Sequence, residues 1–211
     1  MGQKSLFSSI VLTEEWLRSA VAPLYPQLWS MIRQPFDDLV ARRASDPAFR
    51  ILDEGETAQW LRPQIVEQAR RLFDGHPDVK VEKRSQQLYL NYRNELAITP
   101  KKLRPKRRAV GLTFSSYNTP QNKDYWQQRE VQGLPMLPRI LVGYQLVREL
   151  TDIKIWVAYP YGKELSDCFL MPDQSGSIVG LFQPARDGAV TDDDKGYSVK
   201  PKKRKGEREL G

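Results

Sequence analysis

Six cations fall within eight residues: Lys101, Lys102, Arg104, Lys106, Arg107 and Arg108. Like charges packed so densely repel one another, and a polyanion relieves that repulsion as counterions are released. The segment reads as a basic linker interrupted by Pro105 and as a candidate nucleic-acid contact. Tyr89, Tyr92, Tyr117, Tyr125 and Trp126 on flanking segments offer ring faces on which bases can stack. The plainer reading is a solvated loop whose lysines keep an edge strand from pairing with another chain.

A second pattern, Asp152-Ile153-Lys154, has the acid-x-Lys form of metal-dependent nucleases. There, carboxylates hold a magnesium ion and the ammonium polarises the attacking water. Glu130 or Glu149 would supply the first acid. The same triplet arises by chance in any charged chain, and here it follows Thr151 in what reads as a plain hairpin turn. His76, the only histidine, stands at a helix stop between Gly75 and Pro77 and has no HExxH or cysteine spacing around it. Cys168 has no basic activator nearby in sequence and reads as a small buried apolar residue. No nucleophile elbow, Walker-type loop or dinucleotide fingerprint occurs. The balance favours a binding protein without cofactors over an enzyme, magnesium entering only under the nuclease alternative.

The net charge of +7 is local. The basic linker supplies six of it, while in the tail from Val190 the acids Asp192, Asp193, Asp194, Glu207 and Glu209 offset most of the lysines and arginines. Such a distribution argues for a patch rather than a wholly cationic surface. Pro201-Lys202-Lys203-Arg204-Lys205 matches a nuclear import signal by composition but reads here as a basic tail. With one cysteine among 211 residues, an intrachain disulfide is excluded, and a reducing cytoplasm is the expected compartment. Glu14 and Glu15 interrupt the only stretch placed where an export signal would lie, and no apolar run is long enough to span a bilayer. The expectation is therefore no membrane.

These residues need a scaffold, and the hydrophobic period supplies one. Thr13 before Glu14 and Glu15 is a helix start. Pro23 and Pro26 reset it, and Leu28, Met31, Ile32, Phe36, Leu39 and Val40 then give a second helix that Pro35 should kink. A third carries Leu61, Ile65, Ala69 and Leu72, with its regular part expected to begin near Arg62 because Pro63 suits a first turn. It stops at Asp74-Gly75-His76-Pro77.

From Val79 the period changes to two. Strands are expected around Val79 to Val81, Leu88 to Tyr92 and Val110 to Phe114. After a long excursion over 116–138, further strands are expected over 139–170, closing on a Tyr159 to Gly162 turn and a strand through Phe169, with a last one from Ser177 to Phe182. The 139–170 stretch puts Ile140, Val142, Tyr144, Leu146, Ile153, Ile155, Val157 and Tyr159 on one side. Gly143, Gln145, Lys154 and Trp156 fall on the other, which is expected to meet water or a partner.

The strings LPMLPRILVGYQL and DIKIWVAYPYGK are similar to those of small bacterial proteins from two-gene regulatory or toxin–antitoxin loci, over roughly residues 85–170. The resemblance implies a partner-dependent bacterial protein and assigns no functional residue. The expected fold is α+β: a helical part over 1–75, a mostly antiparallel sheet of about six strands over 76–184 in the same domain, and a disordered charged tail over 185–211. The expected function is non-enzymatic binding in a regulatory or phage-defence locus, to a protein partner, with nucleic acid as a second candidate ligand for the basic segment. A growth-inhibiting toxin, cutting nucleic acid through Asp152 and Lys154, is the alternative.

Overall fold

The computed structural model describes residues 13–84, 87–105, 112–114, 137–147, 150–161 and 164–174. Helices come first. Thr13 caps α1 (Glu14–Val21), its hydroxyl accepting the Trp16 amide at 3.2 Å. Pro23 falls in a single tight turn, Ala22–Leu24, and Pro26 in the first turn of α2 (Tyr25–Ser45), where a missing amide hydrogen costs nothing. A one-turn helix, α3 (Pro47–Arg50), leads into α4 (Glu54–Phe73).

The start of α4 corrects the expectation that regular helix begins near Arg62. Asp53 and Glu56 form a reciprocal capping box, with the Glu56 amide 2.7 Å from the Asp53 carboxylate and the Asp53 amide 2.9 Å from Glu56. That box fixes the helix start at Glu54 and leaves Pro63 inside. Pro63 and Gln59 both lie on the exposed side, so the carbonyl that loses its partner faces solvent. Arg43 ties the end of α2 to α4 by donating to the Leu52 carbonyl at 2.6 Å and the Thr57 hydroxyl at 3.0 Å. At the far end, Gly75 takes φ 77°, a left-handed conformation that glycine adopts without strain.

Among the described residues seven strands follow: β1 (Val79–Arg84), β2 (Gln87–Tyr92), β3 (Leu96–Pro105), β4 (Leu112–Phe114), β5 (Arg139–Val147), β6 (Asp152–Tyr161) and β7 (Glu164–Leu170). The sheet runs β1-β2-β3-β5-β6-β7, with β4 added to the end of β3. Every pairing is antiparallel except β3 with β5, where Ala97 to Lys102 lies beside Arg139 to Tyr144 in parallel. The architecture is mixed α+β, as the order of periods implied. The expectation of a turn from Tyr159 is corrected, because β6 continues through Tyr161, while Gly162 lies outside the described residues. The expected strand from Ser177, the 116–136 part of the excursion and the tail lie outside the described residues.

One face of the sheet carries the main core. Ile98, Ile140, Val142, Tyr144, Ile153, Ile155 and Val157 pack there with Leu28, Ile32, Phe36, Leu61, Ile65 and Phe73 from the helices. The opposite face is not the open surface that alternation suggested. Leu141 and Ala158 are fully buried there, in a second cluster with Tyr89 and Leu103 that Trp156, Leu165, Leu112 and Cys168 border. Gly143 belongs to the same region: a Cβ at this position would run into the Leu103 side chain. Thus Leu103 covers the sheet where β5 offers no side chain of its own.

Candidate anion-binding groove

The basic segment is split by the fold. Lys101, Lys102 and Arg104 do not form a linker; they extend β3, which is held on one side by β5 and, from Leu103, by β4 on the other. The sequence hid this because Pro105 and the run of charges read as loop, whereas the two flanking ladders hold the backbone extended. Lys106, Arg107 and Arg108 lie outside the described residues.

The partner of β3 changes midway. Its register with β2 runs from Tyr92↔Leu96 to Leu90↔Ile98, and its register with β4 begins at Leu103. Pro100 stands in this interval and has no amide hydrogen to give a ladder. A groove of about 320 Å³ opens at the change, roofed by α4. Gly55, Ala58, Gln59, Arg62, Ile65 and Val66 come from α4, Gln87 and Leu88 from β2, Thr99 to Lys102 and Arg104 from β3, and Tyr144 from β5.

Four of the lining residues are cations and none is an acid. Lys102 is satisfied within the fold: its ammonium sits 2.8 Å from the Glu54 carboxylate and donates to the Glu54 carbonyl at 2.9 Å. This pair clamps the first turn of α4 onto β3. Lys101 also lines the groove. Burial, reinforced by the nearby Arg62 charge, pushes its amine down to about 7. Two basic groups from different elements thus line one cavity, and an anion bound there would be favoured by both. Arg104 and Arg62 are exposed at the rim.

Arg62 is the groove's cation that sequence reasoning missed. A single arginine on an amphipathic helix carries no signal of its own, and only the fold of α4 across β3 brings it to Lys101. The aromatic platforms do not assemble beside it. Tyr92 is buried in the main core, and Tyr89 in the second cluster with its hydroxyl 2.8 Å from the Gln87 side chain. Neither ring is open to a base. Tyr117, Tyr125 and Trp126 lie outside the described residues.

The acid-x-Lys triplet opens β6. One Asp152 oxygen accepts the Ile153 amide at 2.8 Å and lies 3.6 Å from the Arg33 guanidinium of α2, while Lys154 is exposed and stands opposite Gln145. Glu130 and Glu149, the companion acids, are outside the described residues. Among the described residues no three histidine, cysteine, aspartate or glutamate side chains cluster as a metal site would require, and no helix is long and apolar enough to cross a membrane. His76 accepts the Asp78 amide at 3.1 Å through Nδ1, which secures the turn after α4. Cys168 is half-buried at the border of the second cluster.

No family model, curated protein or solved structure matches this chain.

Proposed function

We propose that the protein is a non-catalytic binding protein that engages nucleic acid through the groove between α4 and β3 and the basic residues that follow it. The observation that carries this reading is the convergence of Arg62, Lys101, Lys102 and Arg104 on one groove with no acid in its lining. Cations spaced along an extended strand suit a phosphate backbone, because each can meet a charge without the chain having to be ordered on binding. Lys106, Arg107 and Arg108 continue the same sequence and extend the interaction. The wider setting, a cytoplasmic bacterial protein of a regulatory or defence locus with a cognate protein partner, is supported by the sequence resemblance alone.

Fluorescence anisotropy with short single- and double-stranded DNA and RNA over a range of salt tests the reading. Binding should weaken steeply with salt. Replacing Arg62, Lys101 and Arg104 together by glutamine should flatten the log–log slope by about 0.7–0.9 for each phosphate that is no longer neutralised. A protein that binds none of these polymers at low salt, or whose slope is unchanged by the triple replacement, would refute it.

A further inference from the structure

The groove is a bounded site, and its lining differs from a simple cationic track. At about 320 Å³ it lies near the lower end of the ~300–1,000 Å³ typical of small-ligand pockets, too small for a run of several nucleotides. Its lining has three kinds of surface. Ile65, Val66, Leu88 and Pro100 are apolar; Gln59, Gln87 and Thr99 carry amide and hydroxyl groups; Arg62, Lys101 and Arg104 carry charge. Such a combination suits one planar, partly apolar group that bears hydrogen-bonding edges and ends in an anion.

We infer that the groove takes a single nucleotide bearing a phosphomonoester, either a free mononucleotide or the phosphorylated end of a strand. A phosphomonoester carries about −1.5 to −2 charges at neutral pH, whereas each internal phosphodiester carries one. Two cations held together at a cavity favour the doubly charged group. Lys101 strengthens the preference, since its amine, lowered by burial and by Arg62, regains its proton when a dianion is placed beside it. The charged and titratable groups that meet there are Arg62 from α4, Lys102 and Arg104 from β3 and Tyr144 from β5, with Glu54 already engaged by Lys102. This assignment rests on the nucleic-acid reading only for strand ends; for free nucleotides it stands by itself.

The test compares one single-stranded oligonucleotide with a 5′-phosphate, a 3′-phosphate or hydroxyl ends, beside adenosine, uridine and guanosine monophosphates and inorganic phosphate. A phosphorylated end should bind about tenfold more tightly than the hydroxyl-ended strand, equivalent to about 1.4 kcal/mol. Arg62→Gln, an exposed replacement, and Lys101→Met should each erase that difference while melting cooperatively, and Lys154→Met should preserve it. Equal affinity for all ends, without mononucleotide binding, overturns the phosphomonoester assignment and leaves strand binding standing. Binding of a mononucleotide but of no strand supports the assignment and overturns the nucleic-acid function. Failure of every ligand overturns both.

Discussion

The two faces of the sheet are built on different principles. The helical face is a continuous core in which α1, α2 and α4 cover the apolar positions of every long strand, and Leu28, Met31, Ile32 and Phe36 are wholly buried. The far face holds a small cluster that depends on one packing arrangement, Leu103 laid over Gly143. What differs is the redundancy. On the helical face many side chains share the burial, so the groove can interrupt the cover beside α4 without unsealing the core. On the far face, among the described residues, the cluster is small and Leu103 lies directly over Gly143.

Breaking each face gives the largest effects. Phe36→Ala should destabilise the fold by about 3–5 kcal/mol in urea unfolding, a truncation cost that many neighbours share but none can refill. Gly143→Ala should cost about 1–3 kcal/mol, because the added methyl meets Leu103. In the double variant Leu103→Ala/Gly143→Ala the second change should cost much less than it does alone, and an additive double variant would show that Leu103 is not what opposes the added methyl.

The groove gives an opposite sign. Lys101 is held below its ordinary pKa, so the unfolded chain binds a proton that the folded chain does not between about pH 7 and pH 10.5, and stability rises with pH through that window. Below pH 7 the whole penalty is present. Lys101→Met should therefore stabilise the protein at pH 6, by on the order of 1–3 kcal/mol, since each tenfold weakening of proton binding corresponds to about 1.4 kcal/mol, and the gain should shrink toward pH 10. Ligand affinity should fall as pH rises through 7 to 8 in the wild type but not in this variant. A melting temperature lowered at pH 6 would contradict the account. Smallest is Asp53→Ala, which removes the capping box and should cost about 0.5–2 kcal/mol.

Local signals in the sequence located most elements, because each has a cause within a few residues. Thr13 caps α1, Pro23 and Pro26 separate α1 from α2, and the alternation of Ile140, Val142, Ile153, Ile155 and Val157 sets the core face of the sheet. Where the reading failed, the deciding partner was distant. Lys101 to Arg104 are strand because β5 and β4 flank them, and Leu141 and Ala158 are buried because Leu103 and Tyr89 reach across. Half of the candidate site was visible as charge density. Arg62, Thr99 and Tyr144 were not, since nothing in their own neighbourhoods marks them.

The parallel ladder between Ala97–Lys102 and Arg139–Tyr144 is also the seam between two runs of chain whose other strand pairings, among the described residues, are internal to each run. A chain severed within 115–136, after β4, should yield two polypeptides that reassociate when co-expressed, each supplying what the other leaves uncovered. Thr99 and Lys101 would come from one piece and Tyr144 from the other, so a ligand that fits between them should drive the pieces together. Copurification that strengthens on adding a nucleoside monophosphate would turn this seam into a split reporter of its own occupancy.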